Sequence, residues 1–152
     1  MVSVCDLYNE LIDNGILLFD YKQNGSPAAT VCIDGACGVF LDTRVLNTVE
    51  KEKTVVAHEC GHCFTSATHT VYSSYDIIEK HEYKANKWAV HRLIPLDELV
   101  QALKDGYTEI WQLADYFGVT EDFIKKALHI YQSEQFPSLL CPVIFDNFCN
   151  SR

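Results

Sequence analysis

Glycine and proline are scarce in this chain of 152 residues, at 7 and 4 respectively, which excludes collagen-like repeats, long linkers and low-complexity tails. Positive charge is short as well: 12 Lys and Arg face 21 Asp and Glu, a formal charge of −9. Such a surface repels phosphate backbones, so direct nucleic-acid binding is not expected. No apolar run approaches the ~18 residues of a membrane span. The opening stretch Met1–Glu10 has neither the basic patch nor the sustained apolar segment of an export signal. These absences set the expectation of a cytoplasmic protein without a membrane partner.

What is present is the composition of a globular domain, 48% apolar and 22% charged, and a chain of this size buries somewhat over ~65% of its unfolded surface. Cysteine is plentiful. Cys5, Cys32, Cys37, Cys60, Cys63, Cys141 and Cys149 are odd in number and lack an export signal, so reduced thiols are expected.

Apolar residues at Val4, Leu7, Tyr8, Leu11 and Ile12 predict an amphipathic helix over Ser3–Asn14, stopped by Asn14-Gly15. Three β-prone runs follow, Ile16–Tyr21, Thr30–Ile33 and Val39–Leu41, divided by Asn24-Gly25-Ser26-Pro27 and Asp34-Gly35. They predict a small antiparallel or mixed sheet. Helices are expected over about Glu50–Thr65 and Tyr75–Leu93, the latter closed by Pro95, and then over Leu96–Leu103, Ile110–Phe117 and Glu121–Tyr131, with Thr120 as a cap. No repeat and no linker divides the chain. The expectation is one α+β domain over 1–152, with a core over about 1–95, a helical subregion over about 96–131 and a tail over 132–152 that carries no clear pattern.

The chemistry concentrates in Ala57-His58-Glu59-Cys60-Gly61-His62, an H-E-x-x-H pattern inside a predicted helix. At about 100° per residue, His58 and His62 sit about 40° apart on one face and one turn apart along the axis, within reach of one metal ion. Glu59 lies about 100° from His58, placed to address a water molecule without ligating the metal. Two neutral imidazoles holding Zn²⁺ and a neighbouring carboxylate as general base are the requirements of metal-assisted hydrolysis.

A catalytic zinc takes a third protein ligand. A histidine six residues beyond His62 would be one solution, but that position is Thr68, and the position three residues beyond is Thr65 where a glycine would be needed. A glutamate on the next helix is the other. Glu82 stands twenty residues downstream and shares a helical face with Ala85, Asn86 and Ala89, whose small side chains permit close helix approach. Asp76, Glu79 and His81 are its nearby rivals, and His81 and Glu79 point about 100° and 60° away from it on an ideal helix.

These residues, His58-Glu59-Cys60-Gly61-His62 with Glu82-Tyr83-Lys84-Ala85-Asn86-Lys87-Trp88-Ala89 and the ending Leu93-Ile94-Pro95, resemble the ImmA/IrrE metallo-endopeptidases, compact relatives of the thermolysin-like gluzincins. A further likeness is Leu113-Ala114-Asp115-Tyr116-Phe117-Gly118-Val119-Thr120, and the resemblance spans roughly 30 to 130. It implies a minimal zincin-like fold, a small sheet supporting two active-site helices with a helical C-terminal part. It implies His58, His62 and Glu82 as zinc ligands and Glu59 as general base. Asn86, one turn from Glu82, becomes a candidate for the hydrogen bond that orients a ligand, with packing between two helices as its other reading. The resemblance further implies a protein substrate, a helix-turn-helix repressor encoded beside such proteins on phages and other mobile elements.

Other motifs admit other uses. Cys60 and Cys63 form a C-x-x-C pair; Cys60 projects about 160° from His62, away from the metal, and Cys63 toward Glu59, so both are expected as small buried residues. A structural zinc site made of Cys32, Cys37, Cys60 and Cys63 is the rival reading. Cys37–Asp42 reads either as an edge strand able to hold an extended peptide or as a plain sheet strand covered by another element. Residues 109–130 have helix-turn-helix spacing, but Thr120-Glu121-Asp122 opens the second helix with the wrong charge for DNA, which favours a packing or partner-binding element. His69, His91 and His129 are taken as core or surface histidines. The alternatives to a peptidase are a regulator that binds a repressor stoichiometrically and, more distantly, a DNA-binding regulator.

Overall fold

The structure is a computed structural model and describes residues 1–22, 25–68 and 73–134. The chain divides into two compact units, Met1–Leu93 and Ile94–Arg152. The architecture is α+β, with six helices and one three-stranded sheet among the described residues. The tail and His69 fall outside those residues, apart from the last turn of the final helix.

In the first unit α1 (Val4–Asp13) starts at a capping box. The Ser3 hydroxyl accepts from Asp6 N–H at 3.2 Å and the Asp6 carboxylate accepts from Ser3 N–H at 2.7 Å. Its apolar stripe buries Leu7 and Leu11 completely. Three side-chain contacts fix it to the two long helices, α2 (Val49–Phe64) and α3 (Tyr75–Leu93): Tyr8 Oη donates to Glu52 on α2 at 2.6 Å, Cys60 Sγ on α2 lies 4.0 Å from Leu7 O, and Arg92 on α3 pairs with Glu10.

The strands β1 (Leu17–Asp20), β2 (Ala28–Ile33) and β3 (Ala36–Leu41) form a mixed sheet in the order β1-β3-β2, with β1 parallel and β2 antiparallel to β3. Asp34 and Gly35 close the β2–β3 hairpin at φ 50° and 84°. Two consecutive positive φ values make the hairpin turn whose twist matches the strands, and Asp-Gly is among the pairs that adopt it most readily. The edge reading of Cys37–Asp42 is therefore corrected. β1 takes the far side of β3, so β3 is the central strand, with Val39 fully buried and Leu41 nearly so. The sheet's edges are β1 and β2.

The expectation of reduced thiols is corrected for one pair. Asp42 N–H donates to Pro27 O at 2.9 Å, and in that register Ala29–Phe40 and Val31–Gly38 are hydrogen-bonded pairs, whereas Thr30–Val39 and Cys32–Cys37 are the closer, non-hydrogen-bonded ones. Cys32 and Cys37 thus face each other with Cα atoms 4.1 Å apart and are joined as a disulfide. Their sulfurs are committed to each other, which removes the four-cysteine zinc reading. Among the described residues Cys5, Cys60 and Cys63 are free.

α2 is capped by Thr48, whose hydroxyl accepts from Lys51 N–H at 3.2 Å, and carries Glu50 and Glu52 in its first turn. It lies against α1, β2 and α3, with its most extensive contact on α3. The face of α3 toward α2 is lined by Ala85 and Ala89, both fully buried, and Phe64 and Trp88 meet with ring centres 5.2 Å apart.

The second unit holds α4 (Leu96–Lys104), α5 (Ile110–Phe117) and α6 (Glu121–Ser133). Gly118 takes the left-handed conformation that ends α5, at φ 59°, and Thr120 caps α6 by accepting from Phe123 N–H at 3.3 Å. The buried Tyr131 donates its hydroxyl to Ile94 O at 2.5 Å. Glu121 and Asp122 occupy the first turn of α6, where they complement the helix dipole and oppose a phosphate. Among the described residues no helix is long and apolar enough to cross a membrane.

Candidate metal centre

The centre is built where α2 and α3 touch. Their approach is set by Gly61: a Cβ at that position would lie 2.7 Å from Ala85 Cα and 2.9 Å from its carbonyl carbon, and would clash with its carbonyl oxygen as well. Glycine on one helix and alanine on the other bring the backbones close enough for a carboxylate on α3 to meet two imidazoles on α2.

His58 and His62 converge from successive turns. Their Nε2 atoms lie 3.0 Å apart. Glu82 reaches across so that Oε2 is 3.3 Å from His58 Nε2 and Oε1 is 3.2 Å from His62 Nε2. Asp76, Glu79 and His81 take no part; among the described residues His58, His62 and Glu82 form the one such cluster that could hold a metal.

Two hydrogen bonds orient the rings. His58 Nδ1–H donates to Asn86 Oδ1 at 3.0 Å, and His62 Nδ1–H donates to Ala67 O at 2.7 Å. With the ring proton on Nδ1 in each case, both Nε2 atoms carry lone pairs. The centre then presents two nitrogen lone pairs and an anionic carboxylate to one point. That arrangement is repulsive in itself and becomes favourable when a cation sits among the donors. Donors held at about 2.0–2.1 Å from zinc in tetrahedral directions lie about 3.3–3.4 Å apart, close to the separations here, so the residues fit a single metal ion. Exposure rises from His62 at 9% through His58 at 23% to Glu82 at 41% of side-chain surface, which puts the opening to solvent on the Glu82 side.

Glu59 is buried, 5% exposed. Thr30 Oγ1 on β2 donates to its Oε2 at 2.6 Å. Cys60 faces away from the centre and is fully buried, and burial pushes its thiol well above the usual range. Cys63 departs from the expected core position: it is only half-buried and lies beside Thr30 and Glu59, where burial again raises the thiol.

Two contributors escape a reading of the sequence. The acceptor for His62 is a backbone carbonyl, supplied by Ala67 after Ser66 turns the chain at φ 51°; a carbonyl leaves no mark in residue type. Thr30 reads only as a β-branched strand residue, and nothing at 29 residues' separation announces its contact with Glu59.

No curated protein and no solved structure gives a significant match to the chain. Residues 38–129, from the central strand through both metal-centre helices and into α6, do match the family described as the IrrE N-terminal-like domain, Peptidase_M78. That segment carries the paired histidines, the buried glutamate and the carboxylate on the following helix, and the chain belongs to this family of metallopeptidases.

Proposed function

We propose that the chain is a zinc-dependent metallo-endopeptidase of the ImmA/IrrE type, acting in the cytoplasm on a helix-turn-helix repressor and thereby controlling genes of a phage or other mobile element. The observation that carries the reading is the convergence of His58 Nε2, His62 Nε2 and the Glu82 carboxylate, each imidazole held in the metal-binding tautomer by its own acceptor. Two imidazoles and one carboxylate are a donor set typical of catalytic zinc, with a fourth position left for reactants.

When bound, zinc supplies Lewis acidity at the peptide carbonyl and makes a water molecule a stronger acid. The chain does the rest. His58, His62 and Glu82 hold the ion, and Asn86 and Ala67 O hold the rings. Glu59, one residue after a ligand and about 100° round the helix, receives the proton of the attacking water and returns it to the leaving nitrogen. β2 is the sheet edge beside the centre: Thr30 reaches Glu59 from it, and the ladder directs the N–H and C=O of Thr30 away from β3. An extended substrate has main-chain partners there.

The test is cleavage of a purified helix-turn-helix repressor, followed by mass spectrometry, for the parent and for Glu59→Gln, with metal content measured on both. Cleavage by the parent and none by Glu59→Gln, at one zinc per chain in each, is expected. Repressor inactivation that survives Glu59→Gln would replace this reading with stoichiometric binding.

A further inference from the structure

We infer that Thr30 is a positioning residue for Glu59, holding one carboxylate oxygen so that the other is presented for proton transfer. The inference rests on the peptidase reading above and adds a residue outside the segment that matches the family.

A glutamate has three side-chain torsions, and a general base that samples several rotamers spends little time within reach of its proton. Glu59 is held against this by one side-chain hydrogen bond among the described residues, from Thr30 Oγ1 to Oε2 at 2.6 Å. That is a short O–H···O hydrogen bond. The donor is itself stiff. A β-branched residue in a strand has restricted χ1, and Thr30 is paired with the fully buried Val39 on the central strand. The hydroxyl has a single proton, and Glu59 takes it. With Oε2 so engaged, Oε1 is the oxygen available to water.

The position of Thr30 gives the bond a second consequence. Its side chain points to Glu59 while its backbone N–H and C=O point outward along the β2 edge. A peptide added to that edge bonds to the residue that holds the base, which ties substrate register to base orientation.

The test compares Thr30→Val, which keeps the branched shape and loses the hydroxyl, with Thr30→Ser, which keeps the hydroxyl; Thr30→Ala replaces Val should that variant fail to fold. On a quenched fluorescent peptide, Thr30→Val is expected to lower kcat by about tenfold to a hundredfold, part of the ~10²–10⁴ that general-base catalysis contributes. KM and zinc content should stay unchanged, and Thr30→Ser should return to within about threefold of the parent. A second readout needs neither zinc nor turnover: the Glu59 carboxyl ¹³C resonance, identified by its loss in Glu59→Gln, should move in Thr30→Val and return in Thr30→Ser. A resonance that stays in place, or a kcat unchanged in Thr30→Val while Glu59→Gln is dead, overturns the inference. Full activity in Glu59→Gln instead overturns the peptidase reading.

Discussion

Replacing Gly61 by alanine adds one methyl group, and helix propensity alone predicts a gain of up to ~1 kcal/mol, since glycine is a poor helix residue. The helix interface predicts the opposite sign. The added Cβ would sit 2.7 Å from Ala85 Cα, whereas ordinary van der Waals contact begins at 3.4 Å. The obstructing atoms are backbone, and a backbone cannot rotate aside, so α3 must retreat by at least about 0.7 Å. Overpacking of this kind costs ~1–3 kcal/mol. Net of the full propensity gain, a loss of up to about 2 kcal/mol lowers Tm by up to about 8 °C for a chain of this length. The displacement also acts on the metal centre, because Glu82 lies one turn before Ala85 on the retreating helix. Its oxygens, now 3.2 and 3.3 Å from the two Nε2 atoms, would open toward about 4 Å, wider than the ~3.4 Å that tetrahedral zinc spans. Zinc affinity should fall at least about tenfold, or ~1.4 kcal/mol. A competition titration against a chromophoric chelator and a thermal melt, run on parent and Gly61→Ala, measure both effects. A variant as stable as the parent, with unchanged zinc affinity, would refute the claim that close helix approach builds the centre.

Asn86→Leu removes the acceptor of His58 Nδ1–H and should weaken zinc binding by about tenfold to a hundredfold, while Asn86→Asp, which keeps an acceptor oxygen, should stay close to the parent; equal affinities for parent and Asn86→Leu would mean that Asn86 only packs. Tyr8 gives a prediction for alkaline pH. Burial first, then the hydrogen bond to Glu52, raise its hydroxyl above the ordinary value of 10.0, so the folded state keeps a proton that the unfolded chain releases. Stability from this group is complete below pH 10 and declines as pH rises further. Tyr8→Phe should cost about 1 kcal/mol at pH 7 and make the alkaline decline shallower, as followed by urea unfolding between about pH 9 and pH 11; an unchanged slope would show that the fold does not hold the Tyr8 proton.

The metal centre was legible because its constraints are local. His58 and His62 are one helical turn apart, so spacing alone places them together. Glu82 could be reached because Ala85, Asn86 and Ala89 mark the face of α3 that approaches another helix. The start of α6 was legible for the same reason, as Thr120 acts on its own turn. The sheet was not. Strand order depends on which edge of β3 the earlier β1 takes, and nothing within Cys37–Asp42 records that choice. Cys32 and Cys37 become partners only once the hairpin register places them opposite each other in the closer kind of pair. The distinction is one of range: periodicity and caps report on contacts within a few residues, whereas Thr30–Glu59 and β1–β3 are decided by tertiary packing.

That division explains why the two imidazoles are restrained so differently. The acceptor for His62 comes from the turn that follows its own helix, where Ala67 N–H returns to His62 O at 3.1 Å and Ala67 O accepts from Nδ1, so this ligand is set once α2 and that turn form. The acceptor for His58 comes from α3, on the residue four positions after Glu82. One face of α3 therefore supplies the third ligand, the orienting amide of the first, and the small residue against Gly61. α2 alone can present its histidines, but the complete donor set exists only when α3 is docked, and a metal ion bound to it stabilises that docking by mass action.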